Sequence, residues 1–378
     1  MPTDGNYIPT TVPSAFRRMA EQMGTKTAFR HKDYGLWHDT SWYDYYRQAR
    51  HLAQALMYFG LEKGDFVAII GENAPEWVIA DMGIQLAGGV SVGIYSTSSW
   101  EQVGYVLDHS ESRFLFAENE EQVDKWLRLR ESGSRIEKVA YWDDKGLLEL
   151  DEPTLLSFEQ LLELGREADE RDPDRLDRRT VQVDPEDPAI LVYTSGTTGP
   201  PKGAMLSHGN LTWMGHTVGL IDPGFTVRPD DEVMSFLPLC HIFERIFSVC
   251  THISYGYTLN FVESPDTVPH NLREISPTIG YAVPRIWEKF HSRIIIQMDD
   301  AKPLKRLAFY TALKIGMKHA AYTIEDRQPP WWLALANRLA HYGVFHWVRR
   351  RLGMERMRFA LSGAAPISPD VLRFFHAI

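Results

Sequence analysis

Tyr193-Thr194-Ser195-Gly196-Thr197-Thr198-Gly199-Pro200-Pro201-Lys202-Gly203 gathers five hydroxyl-bearing side chains, three glycines and one lysine into eleven positions. Glycines let a backbone come close to an anion, and successive N–H groups of such a loop can converge on phosphate oxygens. The hydroxyls of Thr194, Ser195, Thr197 and Thr198 add donors, and Lys202 adds a compact positive charge. The apolar run Ala189-Ile190-Leu191-Val192 just before it reads as a buried strand that holds the loop in place. A Ser/Thr/Gly-rich surface turn would explain the glycines, but not the hydroxyl cluster followed by Pro-Pro-Lys-Gly. Nor does the stretch end in the Gly-Lys-Ser/Thr of GTPase and ATPase phosphate loops, since the lysine here follows two prolines.

Outward from this loop the pattern alternates. Residues 41–59 predict an amphipathic helix, capped by Ser41 and ended at Gly60. Residues 65–70 predict a buried strand, 71–75 a turn, 76–86 a helix, 90–95 a strand, 101–110 a helix and 113–117 another strand. Such alternation argues for a mostly parallel α/β sheet. Residues 166–187, dense in Asp, Glu and Arg and interrupted by prolines, are expected to form a solvated connection. That divides the chain into a first α/β subdomain over 1–180 and a second over 181–378. Beyond the loop, Ala204-Met205-Leu206 reads as a return strand and Ser207 as the cap of the next helix. Residues 285–350 are largely helical by pattern, broken at Gln328-Pro329-Pro330, and no repeat of solenoid period is visible.

With 378 residues the chain can bury a large core, and its 44% hydrophobic and 24% charged composition is that of a globular protein. A formal charge of −10 argues against a nucleic-acid backbone as partner, while leaving room for one locally positive loop. Cys240 and Cys250 are the only cysteines, so no disulfide framework is implied and a reducing, cytoplasmic setting fits. The polar N-terminus lacks the basic-then-apolar pattern of a signal peptide. The apolar window 77–95 contains Asp81, Gln85 and several glycines, and reads as a helix followed by a strand rather than a membrane span.

The phosphate-loop pattern resembles that of the adenylate-forming superfamily: acyl-CoA synthetases, luciferases and peptide-synthetase adenylation domains. Further segments match in the expected order. Lys63-Gly64-Asp65-Phe66-Val67-Ala68-Ile69 with Glu72-Asn73-Ala74-Pro75-Glu76-Trp77 resembles its first-subdomain signature. Leu237-Pro238-Leu239-Cys240-His241-Ile242-Phe243-Glu244-Arg245 resembles the motif lining the acid-substrate pocket. Val283-Pro284-Arg285-Ile286-Trp287-Glu288-Lys289 resembles the form carried by long-chain and bubblegum-type acyl-CoA synthetases. Ser362-Gly363-Ala364-Ala365-Pro366-Ile367 resembles the loop that lies against adenine, and the extra helices near 298–350 are a long-chain trait.

The resemblance implies the large N-terminal domain of that fold, with layered sheets flanked by helices, incomplete and without the mobile C-terminal domain. It implies ATP, Mg²⁺ and CoA as cofactors or co-substrates and a long-chain fatty acid as substrate. Thr194, Ser195, Gly196, Thr197, Thr198, Gly199 and Lys202 would hold phosphates, and Gly363, Ala364, Ala365 and Pro366 would face the adenine. Lys202 and His241 would be catalytic, and His241, Phe243 and Arg285 would contact substrate. Amino-acid activators carry an Asp near this point to pair with an ammonium. Cys240-His241 stands there instead, which favours a plain carboxylic acid.

Other readings of the same residues are weaker. A Cys240–His241 nucleophilic pair fails if both lie on a strand, where neighbours point to opposite faces. A metal site from Cys240, His241, Cys250 and His252 lacks the usual ligand spacing, so no resident metal is expected. Arg285 at the start of a helix serves equally as a surface residue, and Pro284 suits a first helical position. Trp331, Trp332, Leu333, Leu335, Leu339, Val344, Phe345 and Trp347, followed by Arg349-Arg350-Arg351, invite weak peripheral contact with a membrane. Packing within the helical region is the expected arrangement for them.

The family pattern continues past Ile378 with Gly-Tyr-Gly-x-Thr-Glu, a ribose-binding Asp and a C-terminal lysine, and the resemblance therefore implies a shortened chain with little adenylation activity of its own. The alternatives are a fatty acyl-AMP ligase that loads a carrier protein and a non-catalytic nucleotide- or lipid-binding module.

Overall fold

The computed structural model describes residues 10–148, 150, 152–194, 200–221 and 224–378. The chain is a mixed α/β protein that divides into two compact units, the first holding residues 1–230 and 235–262, the second 231–234 and 263–378.

The first unit is built on a seven-stranded sheet. Its spatial order is Leu155–Ser157, Lys138–Tyr141, Phe114–Ala117, Phe66–Ile70, Val90–Ile94, Pro188–Thr194 and Lys202–Ser207. All neighbours run parallel except the last pair, which forms an antiparallel hairpin. Phe66–Ile70, Val90–Ile94 and Phe114–Ala117 are near-continuous apolar runs, as strands covered on both faces must be. Ala68, Val92, Leu115, Val123, Trp126 and Val139 pack as part of one core. Helix Pro75–Leu86 is buried almost throughout, with buried residues on every side instead of a single apolar face. A smaller set of strands in this unit pairs Thr27–Asp33 antiparallel to Leu36–Ser41 and parallel to Thr258–Phe261.

The compact units do not divide at residue 180. Pro188–Thr194 pairs with Val90–Ile94 through Ser91–Ile190, Val92–Leu191 and Gly93–Val192, so sheet hydrogen bonds tie it to the earlier strands. Residues 166–187 also depart from the expected solvated connection. They complete helix Phe158–Arg171 and form Arg175–Thr180. The first of these crosses helix Trp42–Tyr58 so closely that a Cβ at Gly165 would lie 1.7 Å from the His51 carbonyl oxygen. Arg50 meets Asp169 at 2.7 Å beside this crossing, and Leu176 is wholly buried. The charges that suggested a linker lie around an apolar seam of Leu161, Gly165 and Ala168. The caps expected at Ser41 and Ser207 are present, each hydroxyl accepting a backbone N–H three residues on.

In the second unit, parallel strands Ile279–Ala282 and Phe359–Ser362 pair from Ile279–Phe359 to Ala282–Ser362, and Val233 pairs with Ile279 on the other side. Arg358 donates to both oxygens of Asp231 at 2.7 Å, and the Thr278 hydroxyl donates to Oδ1 of the same carboxylate. The helices Pro284–Asp299, Pro303–Ile324, Trp331–Ala340, His346–Leu352 and Pro369–Ala377 pack around Ile294, Phe309, Ala320, Phe345, Val348 and Phe374. Most of the 331–347 apolar residues do not pack as expected. Leu333 and Phe345 are buried, but Trp331, Trp332, Leu335, Leu339 and Trp347 are 79%, 55%, 52%, 66% and 57% exposed. The helical period turns Leu333 and Ala340 inward and leaves the opposite stripe in solvent. Among the described residues no helix is long and apolar enough to cross a membrane.

Candidate active site

The parallel strands of the first unit all deliver their carboxyl ends to one edge of the sheet. Gly71-Glu72-Asn73 leaves Ile70, Tyr95 leaves Ile94, and the phosphate-loop candidate leaves strand Pro188–Thr194 there. In open α/β sheets this edge is where ligands bind. Thr194 and Lys202 are paired across the hairpin, so the hydroxyl residue and the cation flank the base of the loop. Lys202 is exposed and has no ion-pair partner among the described residues. Ser195, Gly196, Thr197, Thr198 and Gly199 lie outside the described residues.

Two aromatic residues secure that base. Tyr105, on helix Trp100–Ser110, donates its hydroxyl to the Pro201 carbonyl at 2.9 Å. Tyr193 shares a 2.8 Å hydrogen bond with Nδ1 of His109, and burial pushes its phenol up to about 12. It therefore stays neutral at physiological pH.

The segment 237–245 is held against the same edge by Asn73. Its amide donates to the Leu237 carbonyl at 2.7 Å and to the Ser235 hydroxyl at 2.8 Å, and its Oδ1 accepts the Leu239 N–H at 3.1 Å. Gly93 makes room for the same segment, because a Cβ there would fall 2.8 Å from the Cα of Cys240. Glu244 is buried and accepts from the hydroxyls of Ser235 and Ser248 and from the Leu237 N–H. Arg245 is buried beside Asp81, Ser91 and the face of Trp77.

Cys240 and His241 do not lie on a strand. Cys240 ends a turn, and His241 is the cap of the short helix Ile242–Arg245. A nucleophilic pair fails for a different reason from the one expected: burial pushes the Cys240 thiol up to about 12, leaving no thiolate at neutral pH. Nδ1 of His241 accepts the N–H of Phe243 at 3.1 Å, which assigns the ring proton to Nε2. Burial also lowers the pKa of His241 below its ordinary value. The result is a neutral, half-buried imidazole able to offer one N–H. Phe243 packs edge-on to Phe247 at 5.5 Å, where the chain enters a π-helical turn over Ile246–Thr251.

The remaining site candidates belong to the second unit. Because Ala282 pairs with Ser362 in a parallel ladder, Val283-Pro284-Arg285 and Gly363-Ala364-Ala365-Pro366 leave the same edge together. Arg285 is exposed in the first turn of helix Pro284–Asp299, with Pro284 as its first residue. The Gly363 N–H reaches the Ala282 carbonyl at 3.4 Å. Ala364 has φ +66°, a left-handed backbone that costs a non-glycine residue about 1–2 kcal/mol. Ala364, Ala365 and Pro366 are exposed. Among the described residues no cluster of His, Cys, Asp or Glu could hold a metal ion.

The family of AMP-binding enzymes matches residues 16–378. The chain belongs to this family. Among curated AMP-binding relatives, the long-chain-fatty-acid–CoA ligase ACSBG2 of Xenopus laevis is 33% identical over 377 residues, covering 97% of this chain and 49% of that protein. ACSBG2 of Homo sapiens is 33% identical over 377 residues, covering 98% of the chain and 55% of its own length. The chain spans about half the length of the curated relatives it matches. Among solved structures, the long-chain-fatty-acid-CoA ligase FadD1 from Archaeoglobus fulgidus aligns with TM-score 0.68 and 17% identity, covering 98% of this chain and 60% of that one. The A-PCP didomain of carboxylic acid reductase from Segniliparus rugosus, in complex with AMP, aligns with TM-score 0.69 and 17% identity over 100% of this chain and 52% of that one. These structural matches establish the fold as that of the adenylate-forming enzymes' N-terminal domain.

Sequence reading named Asn73 only as part of a motif and passed over Tyr105, His109 and Gly93. Asn73 had a local signal, a polar residue at the end of a buried strand. Tyr105 and Gly93 had none, because their roles depend on what packs against them.

Proposed function

We propose that this protein activates a long-chain fatty acid with ATP and passes the acyl group to CoA. A carboxylate oxygen attacks the α-phosphorus of ATP, giving acyl-adenylate and pyrophosphate. The CoA thiol then attacks the acyl carbonyl, loses its proton and displaces AMP. ATP enters as its Mg²⁺ complex. Charge sits on the phosphates in the first step, so positioned donors and cations matter more than a strong base.

The observation carrying this reading is that Lys202, which has no ion-pair partner among the described residues, stands across the hairpin from Thr194 at the carboxyl edge of the parallel sheet. Thr194 to Lys202 grips the β- and γ-phosphates. Gly363 to Pro366 faces adenine, and Arg285 contacts substrate. His241, neutral with its Nε2–H free to donate, orients the carboxylate next to Phe243. The reaction belongs to the cytoplasm. Exposed Trp331, Trp332, Leu335 and Leu339, ahead of Arg349, Arg350 and Arg351, give weak peripheral contact with an anionic bilayer.

Calorimetric titration with Mg-ATP tests the reading. Binding that Lys202→Ala weakens roughly ten-fold supports it, and no nucleotide binding at all overturns it. An acyl-transfer assay with CoA against a carrier protein as acceptor separates the ligase from an acyl-AMP ligase. Nucleotide binding without any fatty-acid-dependent pyrophosphate release there would favour a binding module. Flotation with phosphatidylserine vesicles tests the membrane contact, and a chain left at the bottom of the gradient refutes it.

A further inference from the structure

The helices of the second unit enclose a cleft that the proposed chemistry does not use. Its apolar part, about 240 Å³, is lined by Ile294, Met298, Phe309, Val344, Trp347 and Val348. Four of these, Ile294, Met298, Phe309 and Val348, also belong to the core of the unit, so the cleft reaches down to the packed interior. A second, polar cleft of about 460 Å³ shares Gln297, Met298, Lys305, Arg351 and Leu352 with the first, making the two continuous. Arg273, Arg293, Lys305 and Arg351 line it against a single carboxylate, Asp300.

These cations are available. Arg273 spends its Nε–H on the Pro269 carbonyl at 3.1 Å. Arg293, Lys305 and Arg351 form no ion pair among the described residues. Elsewhere on this surface arginines are commonly paired, as Arg356 with Glu232 and Arg358 with Asp231. On a chain of net charge −10, four cations facing one carboxylate at the mouth of an apolar cleft are a local inversion of sign. An apolar cavity with a few convergent charges fits a ligand with both characters.

We propose that this cleft binds a single-chain anionic amphiphile, a free fatty carboxylate, with its alkyl tail among Phe309, Val344 and Val348. Its head lies among Arg293, Lys305 and Arg351. The tail removes apolar surface from water, and the carboxylate meets guanidinium and ammonium donors that form no ion pair among the described residues. A free phosphate would leave the apolar arm unused, and a neutral lipid would leave the cations unused. The site shares no residue with the 237–245 segment and does not depend on the proposed acid activation.

The probe is dodecanoate carrying a photoreactive diazirine at its tail end, used as monomer without ATP. Crosslinks in peptides covering 294–309 and 343–352, displaced by dodecanoate and not by dodecyltrimethylammonium, support the site. The exposed pair Arg293→Glu/Lys305→Glu is expected to weaken that labelling roughly ten-fold, with the melting temperature unchanged. Ala308→Trp, which fills the cleft from an exposed position, is expected to abolish it. His241→Ala should leave it intact, which separates this site from the acyl pocket. Crosslinks confined to the 237–250 region, equal displacement by the ammonium amphiphile, or binding to phosphatidylserine vesicles but not to dodecanoate would each overturn the proposal.

Discussion

The guanidinium of Arg245 donates to Oδ1 of Asp81 across 2.7 Å, and neither side chain has meaningful contact with water. The same nitrogen reaches the Ser91 hydroxyl at 2.9 Å, and the guanidinium lies 4.8 Å from the centre of the Trp77 ring. One residue of the 237–245 segment is thereby fixed to helix Pro75–Leu86 and to strand Val90–Ile94. Replacing both members of a buried ion pair by apolar groups is often neutral or stabilising, whereas leaving either one alone is costly.

Asp81→Leu is therefore expected to cost about 3–5 kcal/mol by leaving Arg245 buried without its partner. The double variant Asp81→Leu/Arg245→Met should recover most of that loss. Urea unfolding of the parent, Asp81→Leu, Arg245→Met and the double variant measures the coupling, and simple additivity of the two substitutions would contradict it.

Asn73→Leu removes three hydrogen bonds to residues 235–239 at once. A loss of about 2 kcal/mol is expected, from buried backbone groups left without partners. Asn73→Asp keeps the acceptor for the Leu239 N–H but sets a carboxylate against the Leu237 carbonyl, so it should be no milder. Amide hydrogen exchange at Leu239 reports the loosening directly.

Gly93→Ala brings a methyl group to within 2.8 Å of the Cys240 backbone. The strand cannot retreat, because Gly93 is paired with Ile69 on one side and Val192 on the other. The 240–245 segment must move instead, at an expected cost of about 1–3 kcal/mol. Unchanged thermal stability would show that the segment yields freely.

Acid should destabilise the protein through two buried histidines. Burial lowers both His208 and His252 to about 4, while the unfolded chain titrates near the ordinary histidine value. Between those values the unfolded state binds more protons, so stability is full above about pH 6.5 and falls as pH drops toward 4. His252 is shut away from water, which disfavours its cation, and this outweighs the Ala28 carbonyl 3.0 Å from its Nε2, which favours the protonated ring. His252→Phe should flatten part of the dependence, with up to about 3 kcal/mol at stake for one such group. Urea unfolding at pH 7.5 and pH 5 would reveal it, and parallel losses in variant and parent would exclude His252 as the source.

The repeated strands and helices of the first unit were legible because each element satisfies a local rule. Buried parallel strands need apolar runs, and helices need caps such as Ser41 and Ser207. Of the phosphate-loop candidate only the flanking strands are described, and these were legible as an apolar run and a return strand. Residues 166–187 were misread because charge density describes a helix's outer face as well as a linker. Only the crossing at Gly165 distinguishes the two.

The sequence by itself determined the α/β class, the order of its elements, the family and the residues at the base of the loop. The class and the order follow from short-range patterning, which a linear chain displays in full, and the family from the resemblance of its motifs. Tertiary structure alone decided that Asn73 clamps Leu237 and Leu239, that Arg245 finds Asp81, and that His241 carries its proton on Nε2. It also decided that Trp331 and Trp332 remain in solvent while Leu333 beside them is buried. Each of those outcomes depends on which surface a distant segment brings into contact, and burial and pairing are properties of that contact rather than of the residue.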